Sequence, residues 1–426
     1  MTASSSSPTA PDPVARVGLD WADRKHDIAL REIGSEEVEH RQIPHTPEAI
    51  AEWVAELRRR FGGRPVAIAL EQSRGGLIHA LLPHEFLILY PVNPASFARY
   101  RKLFAPSGAK DDPTDAELLL DFLEKHEASL RPWVPDDAKT RALGRLVEAR
   151  RKAVDLRTKL VQKLTAELKG YFPQALDWTG GHLASRLATD FLLKWPTLAA
   201  VQRARPETVR SFYYAHNCRA GERIEERIAQ IRAAEPLTTD PGIVEPSVLT
   251  VQMLARQLQA LEPSIRAYDK EIARLFQEHP DADLFEPLPG AGTALAPRLL
   301  AAFGTDRNRY QSALDIQQFS GTAPVTVRSG NRRFVHWRPS APTFLRQTFH
   351  EFAQHSIHQS RWARAYYEQQ RERGSRHHAA VRALAFKWQR ILFRCWKDRT
   401  PYSEDRYLDA LRRRGSPLAA RLESVA

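Results

Sequence analysis

Short apolar runs alternate with amphipathic segments between residues 14 and 127. The apolar runs at residues 17–22, 65–70 and 86–92 have the length of β-strands, and residues 27–31 can pair with the first run as a hairpin. A helix is predicted over residues 46–60, where apolar residues recur at helical spacing: Ile50, Trp53, Val54 and Leu57. A β-rich start followed by alternating helices and strands predicts an α/β domain with a mixed sheet and helices on its faces.

Helical patterns replace the strand patterns between residues 140 and 280. Residues 143–171 are helical and strongly basic, and apolar residues then recur at alternating spacings of three and four. These positions are Val251, Leu254, Leu258, Leu261, Ile265, Tyr268, Ile272 and Leu275. The heptad predicts a coiled-coil seam that assembles subunits, with a kink or a break of the helix at Pro263. A helical bundle within one subunit is the alternative.

A third region begins at residue 284 and is predicted to be mainly α-helical. It opens with Leu288-Pro289-Gly290-Ala291-Gly292 and a helix through residue 303, and it closes with a basic, aromatic-rich helix over residues 378–396. The predicted organisation is therefore a disordered tail at residues 1–13, an α/β domain at 14–127, a helical coiled-coil region at 140–280 and a C-terminal domain at 284–415.

Charge and cysteine content narrow the class of protein. The chain has 63 Lys and Arg against 51 Asp and Glu, a net charge of +12, which favours a polyanionic partner. Its two cysteines are far apart in the sequence, so they suggest neither a disulfide framework nor a zinc site and fit a reducing compartment. The sequence has no apolar run of membrane-spanning length and no signal-peptide pattern at its start. We expect a cytoplasmic protein without a membrane partner.

Two acidic residues lie at predicted strands. Asp20 lies inside an apolar strand, where a carboxylate is costly to desolvate unless a cation or a donor meets it. Its neighbours on the same face, Gly18 and Ala22, are small and leave room for a metal ion and a phosphate. Glu71 ends another strand, and strand ends border the functional crevice in open α/β sheets. The ordinary alternatives are an Asp bonded to backbone groups and a surface Glu.

Two further acidic residues open a predicted helix. Asp112 and Asp115 flank Pro113 and Thr114, and taken singly Asp112 fits an N-cap. Their spacing of three also places both carboxylates on one side of the first turn. Together the four acids suggest a two-metal phosphodiesterase site. Their oxygen ligands suit Mg²⁺ or Mn²⁺. Two such ions about 4 Å apart can stabilise both the attacking and the leaving oxygen of a phosphoryl transfer. The sequence contains no Walker loop.

These motifs resemble those of the DEDD insertion-sequence transposases. The N-terminal matches are Gly18-Leu19-Asp20-Trp21-Ala22, Leu70-Glu71-Gln72-Ser73 and Lys110-Asp111-Asp112-Pro113-Thr114-Asp115-Ala116. The family pattern of Lys, any residue, Asp, two residues and Asp-Ala implies Asp112 rather than Asp111. The C-terminal matches are Leu288-Pro289-Gly290-Ala291-Gly292, Phe319-Ser320-Gly321-Thr322-Ala323-Pro324, Arg328-Ser329-Gly330 and Phe344-Leu345-Arg346. Their order agrees over nearly the whole chain.

The resemblance implies a RuvC-like, RNase H-like first domain in which Asp20, Glu71, Asp112 and Asp115 hold Mg²⁺ or Mn²⁺. It implies that Ser329 is a nucleophile that meets the acidic site of another subunit in a dimer or tetramer. It also implies donor and target DNA and a guide (bridge) RNA as partners. Residues 335–340 depart from the family pattern, since they lack a Lys-Ala-Gly-like stretch. Without the resemblance, Ser329-Gly330 is an ordinary turn.

Nucleic-acid contacts are expected at two kinds of position. Gly290 and Gly292 lie in a turn between helices, where backbone N–H groups can approach a phosphate, although a plain helix cap explains the turn equally well. The basic candidates are Arg328, Arg332, Arg333, Arg382, Lys387 and Arg390, whereas Phe386, Phe393 and Trp396 are expected in the core. The alternatives to a transposase are a metal-dependent junction-resolving nuclease without serine chemistry and a non-catalytic nucleic-acid-binding protein.

Overall fold

The computed structural model describes residues 12–71, 75–104, 112–330, 332–336, 338 and 341–424. Within these ranges it leaves out the side chains of residues 112–114, 327, 329, 333, 335 and 423–424. The predicted side-chain roles of Asp112, Ser329 and Arg333 therefore lie outside the described part. The chain divides into two compact units, one ending at Pro135 and the other beginning at Asp136.

The first unit contains a mixed sheet, as the sequence predicts. Its strands are β1 (Ala15–Trp21), β2 (Lys25–Glu32), β3 (Glu39–Pro44), β4 (Val66–Leu70) and β5 (Leu87–Pro91), in the spatial order β3-β2-β1-β4-β5. The first three strands are antiparallel neighbours, whereas β4 and β5 continue the sheet in parallel with β1. Strand β3 was not predicted, because Ile43 is the single buried residue of this polar edge strand.

Helices cover both faces of this sheet. They are α1 (Pro47–Phe61), α2 (Gly76–Leu81), α3 (Pro94–Phe104) and α4 (Asp112–His126), with a short 3-10 helix at Glu127–Ser129. One face carries large apolar residues such as Leu19 and Ile68, which share a core with α1 and α2. The central strands of the other face carry small residues, and α4 packs on these. A Cβ atom at Gly18 would overlap the backbone of α4 at Ala116 and Leu120, so glycine is what allows this close approach.

The second unit begins with a helical region. Its helices are α5 (Ala138–Tyr171), α6 (Ala175–Trp178), α7 (Arg186–Lys194), α8 (Leu198–Gln202), α9 (Pro206–Ala215), α10 (Gly221–Ala233) and α11 (Pro241–Gln277). The long helices α5 and α11 pack side by side and are antiparallel, since their ion pairs run in opposite order along the two helices: Lys139–Glu278, Arg150–Asp269 and Arg157–Glu262. Helix α11 continues through Pro263, so the predicted break does not occur.

The apolar positions of the predicted heptad pack against other helices of the same chain. Its members on α11 pack into cores that also contain residues of α5: Leu254 and Leu258 share one core with Leu160 and Leu164, and Ile272 shares another with Leu143. This agrees with the alternative of a bundle within one subunit and gives no support to assembly of subunits through this seam.

The rest of the second unit is mainly helical, with one β-hairpin in its described part. Its elements are α12 (Ala282–Phe285), α13 (Gly292–Phe303), α14 (Ala313–Phe319), β6 (Val325–Ser329), β7 (Arg332–His336), α15 (Thr343–Gln359), α16 (Arg361–Glu372), α17 (His377–Lys397), α18 (Glu404–Arg413) and α19 (Pro417–Ser424). Trp396 is buried, as predicted, and its indole donates to the carbonyl of Gly304. The predicted boundary near residue 280 falls inside this unit and stays a prediction. Among the described residues, no helix has the length and apolar character needed to cross a bilayer.

Candidate active site

Strand register brings two of the predicted acids to one edge of the sheet. Leu19 and Leu70 are the last paired residues of the parallel strands β1 and β4. Asp20 is the next residue of β1, and Glu71 is the first residue after β4 ends; both are half-buried. Since the two parallel strands end side by side, both acids lie at the same edge of the sheet.

Asp115 belongs to the helix that covers the face of the sheet on which Asp20 lies. Side chains alternate along a strand, so Asp20 lies on the same face as Gly18, where the backbone of α4 approaches the sheet. Asp115 lies in the first turn of α4, is buried, and accepts a 2.5 Å hydrogen bond from Arg101 of α3. The described candidate acids thus lie at the ends of two neighbouring strands and in the first turn of one helix, and a guanidinium pairs with buried Asp115.

The oxygen chemistry of this site fits Mg²⁺ or Mn²⁺. No group of three or more described His, Cys, Asp or Glu side chains is arranged as a metal site, and the side chain of Asp112, the fourth predicted ligand, lies outside the described part. Asp115 forms an ion pair with Arg101, so a divalent cation bound there would compete with that guanidinium. The predicted ligands suit a divalent cation by donor type, whereas the described ones are not grouped as a metal site.

Sequence reasoning missed another acid beside Asp20. Asp27 of β2 is its cross-strand partner, so both lie on the same face of the sheet. Asp27 is buried, and its Oδ1 accepts a 2.8 Å hydrogen bond from the Gln42 side chain. The register of the predicted hairpin would have found this residue, because pairing that starts at Trp21 and His26 places Asp27 opposite Asp20.

The predicted nucleophile lies on the hairpin of the second unit. Ser329 is the last residue of β6 and pairs with Arg332, the first residue of β7. Gly330 has a φ of 55° at the turn between them, a conformation that favours glycine. The side chains of Arg328 and Arg332 are exposed and can meet an anion. The hairpin thus holds the backbone of Ser329 next to two solvent-facing cations.

Two stretches of the sequence match transposase families. Residues 17–173 match the DEDD transposase family of the IS110 type, and residues 282–368 match a family described as the transposase IS116/IS110/IS902 family. The first stretch contains the four acids and the second contains Ser329. The chain belongs to the DEDD-type insertion-sequence transposases.

Relatives of similar length extend the match along the chain. A mini-circle transposase for IS117 from Streptomyces coelicolor is 28% identical over 396 residues, which cover 91% of this chain and 95% of the relative. The 42 kDa protein of insertion element IS900 from Mycobacterium paratuberculosis is 25% identical, with 90% of this chain and 96% of the relative covered. The 43.6 kDa protein of IS110 from Streptomyces coelicolor is 24% identical, with 91% and 95% covered. The similarity includes both units of this transposase.

Ser320 is the next serine before Ser329 in the described part of the transposase. It is fully buried, and its hydroxyl accepts a 2.7 Å hydrogen bond from the Gln389 side chain of α17. A hydroxyl buried in this way is inaccessible to a DNA phosphate. The described structure thus places Ser320 in the core of the second unit, hydrogen-bonded to α17.

Some of the other residues predicted to contact nucleic acid already interact with neighbouring residues of the transposase. The N–H of Gly290 donates to the Gln359 side chain at 2.9 Å, and a Cβ atom at this glycine would overlap the backbone of α15. The Lys387 ammonium lies over the rings of Trp362 and Tyr366, and burial lowers its pKa. Arg390 is exposed on the same helix and is open to a phosphate. Gly292 begins α13 with open space around it, so its predicted contact stays a prediction.

Proposed function

We propose that this protein cleaves and rejoins DNA strands during transposition of an insertion sequence, guided by an RNA that the element encodes. The observation that carries the proposal is the position of Asp20 and Glu71 at neighbouring strand ends, with Asp20 on the face covered by the helix of buried Asp115. Membership in the DEDD transposase family and the transposase names of relatives support the same activity. The basic net charge suits binding of both DNA and RNA.

The DEDD family match and the oxygen donor set support a dependence on divalent metal. Asp20, Glu71, Asp112 and Asp115 would hold the Mg²⁺ or Mn²⁺. When bound, the metal supplies Lewis-acid stabilisation of the charge that develops on the phosphate. The close packing at Gly18 holds the first turn of α4 against the sheet, and the Arg101 guanidinium neutralises Asp115 in the absence of a cation.

Ser329 is proposed as the nucleophile. Its hydroxyl oxygen forms a bond to phosphorus while the bond to one strand's leaving oxygen breaks, and the proton of the serine is transferred to solvent or to a nearby carboxylate. The leaving oxygen becomes a strand-end hydroxyl. The covalent ester conserves the phosphodiester energy, so rejoining needs no ATP. Arg332, the strand partner of Ser329 and therefore on the same face of the hairpin, would neutralise the phosphate, and exposed Arg328 would add positive charge nearby.

The serine and the acids belong to different compact units of the chain. We propose that a complete site combines Ser329 of one subunit with the carboxylates of another, within a dimer or tetramer. Neither unit alone contains both parts of the chemistry, so the assembly would control when DNA is cut.

The test is strand exchange between donor and target DNA by the full-length protein, purified from cells that also transcribe the ends of its element. We expect a discrete RNA to co-purify and exchange to require Mg²⁺ or Mn²⁺. Asp20→Asn should reduce exchange by roughly a thousandfold or more, because it removes a charged ligand. The matched control is Asp23→Asn, an exposed acid in the turn after β1, which should keep wild-type activity.

Two results would replace the proposal. Exchange that continues in EDTA would exclude the metal-dependent site. DNA binding without any cleavage or exchange, in the presence of the RNA and Mg²⁺, would favour a non-catalytic nucleic-acid-binding protein.

A further inference from the structure

A basic cavity lies beside the segment that leads into the Ser329 hairpin. Its volume is about 330 Å³, and its lining residues are Gly321, Thr322, Arg346, His350, His378, Arg382 and Ala385. Helix α15 contributes an arginine and a histidine four residues apart, and α17 contributes a histidine and an arginine at the same spacing. Residues four apart share one face of a helix, so each helix presents one such pair to the cavity.

The chemistry of the lining suits an anion. Two guanidinium groups and two imidazoles line the cavity, and none of its described lining residues is acidic. The His350 and His378 rings lie 5.6 Å apart, so both can contact the same small group. Glu351, the acidic neighbour of His350 on α15, forms ion pairs with Arg151 and Arg298. Guanidinium groups bind phosphate oxygens through paired, charge-assisted hydrogen bonds, and the volume is at the small end of the range for ligand pockets.

A hydrogen bond and close packing inside the second unit hold one wall of the cavity in place. Thr322 is buried, and its hydroxyl donates to the Gln389 side chain of α17. Gly321 has a φ of 75°, and a Cβ atom there would overlap the side chain of Ala341. Residues 321 and 341 lie just before β6 and just after β7, so the cavity borders the base of the hairpin. A wall held in this way is preorganised for a ligand.

We propose that this cavity binds one phosphodiester group of the DNA strand that Ser329 attacks. The inference rests on the proposed function for the choice of DNA, and on the lining residues for the choice of a phosphate. Binding of a phosphate at the hairpin base would set the position of the strand relative to Ser329. Arg346, His350, His378 and Arg382 act here as binding residues, without taking part in bond formation.

The test measures DNA and RNA binding by the full-length protein in EDTA, so that cleavage does not contribute. Arg346→Gln and Arg382→Gln should each weaken binding of a labelled DNA duplex about tenfold and should make binding less dependent on salt, because fewer counterions are released. Binding of an RNA of the same sequence is measured in parallel, because the lining residues recognise a phosphate and do not by themselves select DNA. Arg382→Lys should restore part of the affinity. The matched control is Arg390→Gln, an exposed arginine on α17 outside the cavity, which should have a smaller effect than Arg382→Gln.

A second measurement separates a folding defect from a binding defect. Millimolar inorganic phosphate should raise the melting temperature of the wild-type protein and should not raise that of Arg346→Gln or Arg382→Gln, whose melting temperatures without phosphate should match the wild type. His378→Gln, a change at an exposed position, should weaken DNA binding without altering stability. The proposal is overturned if both arginine variants bind DNA like Arg390→Gln, or if they lose affinity for RNA alone. Failure of the wild-type protein to bind either nucleic acid would instead overturn the proposed function.

Discussion

The acidic end of the first unit's sheet and the hairpin of the second unit are built in opposite ways. Asp20 and Glu71 follow buried strands, and buried Asp115 lies in a helix whose backbone approaches the sheet at Gly18. The hairpin carries exposed residues, including Arg328, Arg332 and Phe334, and its neighbouring cavity is basic. One region suits cations and the other suits phosphates.

This difference suggests that the two units supply different chemical groups for the reaction. The acidic end can stabilise the charge that develops during phosphoryl transfer, but in its described part it offers no serine hydroxyl. The hairpin offers Ser329 and cations that attract DNA, but it lies in a different unit from the predicted metal ligands. On the proposed function each region is incomplete by itself, so bringing the two together would be the step that controls cleavage.

The largest expected effect comes from mixing two inactive variants. Asp20→Asn and Ser329→Ala should each be inactive alone. If the serine of one subunit works with the acids of another, a mixed dimer contains one intact site of two. Random re-equilibration makes about half of the dimers mixed, so the mixture should recover up to about a quarter of wild-type strand exchange. Exchange is measured after the subunits have been allowed to re-equilibrate. Complete inactivity of a demonstrated mixed oligomer would mean that both residues must come from the same chain.

The second prediction concerns how subunits meet. The heptad of α11 is covered by α5, so Leu258→Ala should destabilise the second unit by about 2–5 kcal/mol without changing the oligomeric state. Leu249→Ala on the same helix is the matched control, because Leu249 is 70% exposed and its truncation should cost little. Denaturant unfolding gives the stability and light scattering gives the mass. Dissociation of Leu258→Ala into folded monomers would show instead that the coiled-coil seam joins subunits.

A smaller effect tests the tight packing of the acidic end. Gly18→Ala places a methyl group against the backbone of α4 and should destabilise the first unit by about 1–3 kcal/mol, with a loss of strand exchange as Asp115 moves. Gly76→Ala is the control in the same unit, since a Cβ atom there meets open space and should change stability by less than about 1 kcal/mol. Equal stability and activity of the two variants would show that close approach at Gly18 is unimportant.

The elements that local periodicity predicted are those with a continuous buried face. Strands β1 and β4 and helix α1 have such faces, and their predicted bounds agree with the observed ones within two residues. The polar edge strand β3 and the exposed hairpin β6–β7 lack that signal and were not predicted as strands. Helix α11 continues past Pro263 because the proline is exposed while neighbouring seam residues remain packed on α5.

Sequence patterns likewise revealed only part of the candidate site. Asp20, Glu71, Asp112 and Asp115 were found from motifs that are local in sequence. Asp27 is recognised only through strand register, because its importance comes from facing Asp20. The basic cavity depends on two helices that pack together, with Arg346 and Arg382 more than thirty residues apart in the sequence. Local sequence patterns do not show which helix faces pack together, so this pocket is recognisable only in the three-dimensional structure.

The central claim is that Ser329 attacks DNA with the help of the carboxylate site. The most direct measurement is a denaturing gel of full-length protein incubated with labelled donor DNA, its guide RNA and Mg²⁺. We expect a slowly migrating band that protease removes, present for the wild type and absent for both Ser329→Ala and Asp20→Ala. An adduct that persists in Ser329→Ala would identify a different nucleophile. Cleavage by the wild type without any adduct would mean that water attacks the phosphate, and the protein would then be a metal-dependent nuclease.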